Sequence, residues 1–198
     1  MAQDEPTDRL ARRRTARRTL TLLALICAAP VVASYVAYYW LRPEARTNYG
    51  ELLQAEPAPD VGGTRVDGAR FRLSELRGRW VVLIADAADC DATCARKLYA
   101  TRQARTIQGR EQDRVVRVLL QPTGAAPLPA ELSAAHPGMI VVQGDSRQWQ
   151  TLPGPGGPVA NIYLLDPHGN LVLRYPADPD IRGLAKDLER LLRASRIG

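Results

Sequence analysis

The chain has 198 residues with a formal net charge of +6, from 27 Lys+Arg against 21 Asp+Glu, and only three cysteines. Six arginines among the first eighteen residues, set against Asp4, Glu5 and Asp8, carry about half of that charge. The remainder has no basic run interleaved with aromatic residues, which excludes a nucleic-acid-binding surface. No internal repeat or low-complexity tract is present.

Residues 1–18 form a basic tail holding Arg9, Arg12, Arg13, Arg14, Arg17 and Arg18. Residues 19–41 follow without a charge, a length that crosses the hydrocarbon core as one helix. The arginine asymmetry keeps the tail in the cytoplasm and exports everything after Arg42. Tyr35, Tyr38, Tyr39 and Trp40 are expected to anchor the outer end at the headgroup level. A signal peptide cleaved near Val31-Val32-Ala33 is the rival reading, but the apolar run continues well past that point. Ile26 is too large for the residue before a lipoprotein cysteine, so Cys27 reads as a small apolar residue in the span, where Pro30 is expected to introduce a kink. The expected location is a bacterial inner membrane crossed once, with the C-terminal part in the periplasm.

Residues 42–68 are rich in Pro, Gly and acidic groups and read as a stalk and lead-in. Residues 69–198 have the length of one domain with a single core. A short alternating strand is expected over residues 69–73, and Trp80-Val81-Val82-Leu83-Ile84-Ala85 has the pattern of a buried strand.

Cys90-Asp91-Ala92-Thr93-Cys94 comes next, ahead of a helix expected over residues 93–107. If that helix begins at the first thiol, both sulfurs lie on its first turn, close enough for a disulfide or for sharing one soft metal ion. The helix N-terminus would favour the thiolate, the form that both chemistries require. A structural disulfide is the alternative, although so short a loop gains little from unfolded-state entropy. The periplasm is oxidising, which suits a disulfide in this pair.

Further strands are expected over residues 114–121 and 139–142, a short helix over 129–135 and a helical turn over 146–152. Residues 160–165 and 170–175 read as a hairpin across Asp166-Pro167-His168-Gly169. Asp178 or Asp180 should cap a last helix whose inner face is Ile181, Leu184, Leu188, Leu191 and Leu192. His136, at the end of the short helix, reads as a charged residue suited to the dipole, and His168 as a solvated turn residue. Strands alternating with helices and closed by a hairpin and a helix make an α/β domain with a mixed sheet.

A cysteine pair between the first core strand and its helix resembles the thioredoxin superfamily. The three-residue spacer, the lead-in from Phe71 to Gly78 and the run Tyr163-Leu164-Leu165-Asp166-Pro167-His168-Gly169 resemble more specifically the Sco/SenC family, over roughly residues 55–195. Arg46-Thr47-Asn48-Tyr49-Gly50 also looks like the juxtamembrane stretch of bacterial Sco-like proteins. The resemblance implies a thioredoxin-like mixed sheet flanked by helices, a membrane anchor, and a role in assembling the copper centre of cytochrome c oxidase. Copper in that family is bound by two cysteines and a later histidine, which implies Cys90 and Cys94 as metal ligands and catalytic thiols.

Two positions depart from the family. Ala95 stands where a proline usually follows the second cysteine. Counting back five residues from Tyr163, where the copper-binding histidine is expected, reaches Pro158. His168 lies ten residues beyond Pro158 across an extended strand and cannot replace it. Gly157-Pro158 also occupies nearly the place of the cis-proline that faces the cysteine pair in many thioredoxin-like proteins, though a simple loop proline fits as well.

Three functions follow as expectations. The first is an assembly factor acting on the thiols of a cytochrome c oxidase subunit or passing Cu(I). The second is a general thiol–disulfide oxidoreductase for other periplasmic thiol proteins, with Cys90 attacking and Cys94 resolving. The third is a membrane scaffold in which the cysteines form an inert bridge. Cu(I), held by soft thiolates, is the implied cofactor.

Overall fold

The computed structural model describes residues 6–40 and 48–195. Asp4, Glu5, Leu41, Arg42, Arg46 and Thr47, which entered the sequence reading, lie outside the described residues. The chain divides into two compact units, one ending at Arg46 and the other beginning at Thr47.

The first unit contains helix α1, Pro6–Trp40, which runs on through Pro30. It begins well before the uncharged span because Ala, Leu and Arg are all good helix formers. The stretch Arg17–Ala37 is long and apolar enough to cross a bilayer once. Leu20, Leu23, Ile26, Val31 and Val32 point outward, as lipid-facing side chains do, and Cys27 is exposed among them. Of the expected aromatic group, Tyr35 and Tyr39 stack one turn apart with ring centroids 6.1 Å from each other. The side chains of Tyr38 and Trp40 are outside the description.

The second unit is an eight-stranded mixed sheet: β1 Glu51–Pro57, β2 Gly62–Arg65, β3 Arg70–Arg72, β4 Trp80–Ala85, β5 Val115–Pro122, β6 Ile140–Gly144, β7 Asn161–Leu165 and β8 Asn170–Pro176, in the spatial order β1-β8-β7-β4-β5-β6-β2-β3. The helices are α2 Ala92–Ile107, α3 Ala130–Ala135 and α4 Ile181–Ala194. Strands β4, β5 and β6 are parallel, and β7 and β8 join antiparallel as the expected hairpin.

One boundary differs from the sequence reading. β1 and β2 lie within the segment read as stalk and lead-in, and they join the sheet by pairing with β8 and β6. Their Pro and Gly residues break the periodicity without preventing pairing: β1 is an edge strand, which leaves half of its backbone groups free, and the glycines of β2 keep the N–H groups that pair it with β6 and β3.

Strand β4 sits in the middle and is buried along its whole length. Trp80, Val82 and Ile84 face a core completed by Leu98 and Ala104 of α2 and by Leu184, Leu188 and Leu192 of α4. Val81, Leu83 and Ala85 face the opposite core, closed by Val61, Phe71, Leu73, Trp149 and Leu152. A continuous run of apolar residues is what a strand covered on both faces requires. The last helix is capped by Asp180, whose carboxylate accepts from the Arg182 and Gly183 N–H groups at 3.3 and 2.9 Å.

Candidate functional site

Cys90 and Cys94 form a disulfide with a Cα–Cα separation of 5.1 Å. The placement of the two sulfurs corrects the expectation that both lie on the first helical turn. α2 starts at Ala92, with Asp91 as its N-cap, so Cys90 belongs to the loop leaving β4 and only Cys94 is helical. The Asp91 carboxylate accepts from the N–H groups of Thr93 and Cys94 at 2.8 and 2.9 Å. The Cys94 N–H bond, with Thr93, Lys97 and Arg96 adding smaller effects, holds its carboxyl below the ordinary carboxylate range. Asp91 therefore satisfies two of the N–H donors that the start of a helix leaves free.

The two sulfurs differ in access. Cys94 is fully buried, while Cys90 is partly exposed and packs against the core. The Cys90 sulfur is therefore the more accessible of the two.

Two charged residues that the sequence reading did not single out stand beside the pair. Lys97 is 0% exposed and forms an ion pair with Asp86, which is 4% exposed and lies one residue past β4. The Lys97 ammonium also donates to the carbonyls of Ala85 at 3.1 Å and Val159 at 2.8 Å. The signal was present in the sequence: Cys94, Lys97, Leu98 and Thr101 have the spacing of one helix face, and a lysine in that stripe must be buried with a partner.

The same contacts locate Pro158. It opens a 3-10 turn, Pro158–Ala160, and the Lys97 bonds to Ala85 and Val159 bring that turn to the end of β4 from which the cysteine loop departs. The register Ile84↔Ile162 agrees with this placement. The Gly157–Pro158 peptide is trans.

Neither histidine joins this end of the sheet. His168 is exposed in the β7–β8 turn, where the neighbouring Pro167 carbonyl accepts from the Gly78 N–H at 2.7 Å, beside the opposite end of β4. His136 requires a correction. It is 5% exposed, its Nδ1 is 3.4 Å from a guanidinium nitrogen of Arg117, and burial together with Arg117 and Arg102 lowers its pKa to about 4. It is neutral in the fold and not the charged end of a helix. Among the described residues, no group of three or more His, Cys, Asp or Glu side chains is arranged to hold a metal ion.

A family model described as transmembrane-like, thioredoxin-like, C-terminal domain matches residues 80–195, more than half of the chain. Among solved structures, copper-bound yeast Sco1 superposes with a TM-score of 0.61 at 14% identity, covering 72% of this chain and 96% of the other. Apo Sco1 from Thermus thermophilus has a TM-score of 0.57 at 21% identity, with coverages of 76% and 98%. The thioredoxin domain of a thiol-disulfide oxidoreductase from Bacteroides vulgatus has a TM-score of 0.52 at 16% identity, with coverages of 72% and 99%. At these identities the likeness establishes the thioredoxin fold. No curated protein matches the chain.

Proposed function

The chain belongs to the transmembrane-like, thioredoxin-like C-terminal domain family, and on that footing we propose that it is a membrane-anchored, Sco-like thiol protein. In this reading it assists assembly of the copper centre of a respiratory cytochrome c oxidase through Cys90 and Cys94. The observation that carries it is the asymmetric disulfide, with one sulfur buried and one partly exposed at the mouth of a thioredoxin fold. The copper-bound yeast Sco1 and the apo Sco1 of Thermus thermophilus share that fold.

The exchange step uses this chain's own sulfurs. A partner thiolate attacks Cys90 Sγ, the bond to Cys94 breaks, and its electron pair leaves on Cys94 Sγ. A second thiolate of the partner then attacks the sulfur joined to Cys90, which releases the partner's disulfide and leaves this pair reduced. Run in reverse, the same steps reduce a partner's copper-ligating cysteines.

The donor set also decides which copper ion suits the site. Two thiolates are a soft pair that accommodates Cu(I) as cargo, whereas Cu(II) prefers tetragonal nitrogen or oxygen donors, and Pro158 has no donor side chain. This absence gives weight to a second reading, general periplasmic thiol–disulfide exchange, in which copper plays no part. The oxidoreductase from Bacteroides vulgatus shares the fold as well.

The test is a redox titration with thiol trapping on the full chain in detergent, followed by copper binding. The expected result is a two-electron transition above about −300 mV, the level below which structural bridges lie. The reduced protein should bind Cu(I) measurably and Cu(II) weakly, and Pro158→His should strengthen Cu(II) binding. A bridge that opens only below that potential means an inert scaffold. Absence of Cu(I) binding leaves general thiol exchange, and tight Cu(II) binding lost on changing His136 or His168 overturns the thiol-centred site.

A further inference from the structure

α2 buries one broad stripe, made of Cys94, Lys97, Leu98, Ala100, Thr101 and Ala104. Five of these are small or apolar residues or a hydroxyl bonded back to its own helix, Thr101 Oγ1 donating to the Lys97 and Leu98 carbonyls at 2.8 and 3.1 Å. Lys97 is different in kind. Placing an ammonium there costs several kcal/mol in desolvation, and a leucine or methionine of similar volume would fill the stripe without that cost.

The ammonium donates to the Ala85 and Val159 carbonyls and is ion-paired with the Asp86 carboxylate, whose Oδ2 accepts no hydrogen bond. It is thus a cation held in one place, without solvent around it to screen its field. Cys94 and Lys97 are three residues apart on one helix face, a spacing that puts their Cβ atoms about 5–6 Å apart. The field of Lys97 is felt as far as Asp91, between the two cysteines, where it helps to lower the carboxyl pKa.

The opposite charge lies at the end of β4, four residues before Cys90. Asp86 follows Ala85, which is in register with Leu120, and Gln121 follows Leu120 on β5. Ile84 and Leu119 both face α2, so Asp86 and Gln121, two positions further on, face it too. Gln121 is 1% exposed, and among the described residues neither polar atom of its carboxamide has a partner. A buried polar cluster therefore underlies the first turns of α2, with its cation nearest to the leaving sulfur in sequence and on the same helix face.

We propose that Lys97, held by Asp86, is a positioning residue of the Cys90/Cys94 pair: its fixed ammonium favours departure of the Cys94 sulfur as a thiolate, and the Asp86 carboxylate limits that effect. The inference rests on the exchange reading given above. In the step concerned, a glutathione thiolate attacks Cys90 Sγ and the electron pair of the broken S–S bond goes to Cys94 Sγ. A second glutathione thiolate then releases Cys90 and forms glutathione disulfide, so two electrons enter the protein and two glutathiones are oxidised. Lys97 neither gives nor takes a proton in this sequence. It acts only through its charge, and that feature separates it from a packing residue.

The experiment is a titration of the full chain in detergent, free of metal, against glutathione and then dithiothreitol buffers. Lys97→Met removes the cation at similar volume and should shift the equilibrium about tenfold toward the disulfide, equivalent to about 30 mV. Asp86→Asn removes the limiting charge at unchanged shape and should shift it severalfold toward the dithiol. Thr101→Val, one turn further along the stripe, should lower stability without moving the equilibrium by more than about twofold. Shifts of the same sign for Lys97→Met and Asp86→Asn, or shifts within about twofold for both, overturn the proposal. Should Lys97→Met fail to fold, Asp86→Asn decides alone, and no shift or a shift toward the disulfide overturns it. A wild-type pair that opens only in dithiothreitol refutes the exchange reading while the charge effects of the variants can still be read.

Discussion

Burial and the guanidinium groups of Arg117 and Arg102 keep the His136 imidazole neutral, with its pKa lowered to about 4. The consequence for stability has a definite sign. In the unfolded chain the imidazole takes a proton near its ordinary value of about 6.5, whereas the folded chain does not until about pH 4. Between those values the unfolded state binds more protons, so stability falls as pH drops from about 6.5 to about 4 and the His136 contribution levels off below that. Urea unfolding across this window, compared with His136→Gln, should show the slope and its loss in the variant. Equal slopes in the two proteins would mean that His136 is not the group responsible. Arg117, itself 2% exposed, bonds weakly to the carbonyls of Leu98 and Pro137, and burial lowers its own pKa to about 10, so it still carries its charge against His136 at neutral pH.

At the scale of elements, the entry of the chain into the domain is held by a clasp on α4. The Asp187 carboxylate, 1% exposed, accepts from the N–H groups of Tyr49 at 3.1 Å and Gly50 at 2.8 Å. The Tyr175 hydroxyl of β8 also donates to it at 3.4 Å, and burial, reinforced by the Asp187 charge, pushes the Tyr175 pKa up. Tyr49 completes the clasp, its hydroxyl accepting from the Asp180 N–H at 2.8 Å. Two glycines make the close approach possible, since a Cβ at Gly50 would lie 2.5 Å from the Tyr175 ring and one at Gly183 would lie 2.5 Å from the Tyr49 ring. Asp187→Asn turns two acceptor oxygens into one and sets an amide donor against backbone donors. It should cost about 1.5–3 kcal/mol, the range for hydrogen bonds to a charged group, and should expose residues 48–57 to limited proteolysis. Unchanged urea unfolding and protease resistance would show that strand pairing of β1 with β8 suffices without the clasp.

For the whole molecule, the arginine asymmetry about α1 predicts that residues 1–18 remain in the cytoplasm and that the cysteine-bearing unit is exported. A reporter fused after Arg79 should be active when it requires export and silent when it requires the cytoplasm, and the reverse pattern would remove the oxidising compartment on which the thiol chemistry depends. The sequence by itself determined the apolar span, the buried strand β4, the thiol-bearing junction with α2, the β7–β8 hairpin and the position of Pro158, because each is a local pattern of periodicity, spacing or turn chemistry. Lys97 also has the spacing of a buried helix face, a signal that the sequence reading passed over, and the partner of that lysine was not legible. Only the tertiary structure decided that Asp86 and Val159 meet Lys97, that Asp187 receives the backbone of Tyr49 and Gly50, and that His136 is neutral against Arg117. It also drew β1 and β2 into the sheet from a segment whose Pro and Gly residues hid any period. The physical reason is common to all of these: a strand edge or a buried charge is stabilised by groups distant in sequence, so its identity is local while its partner is set by the fold.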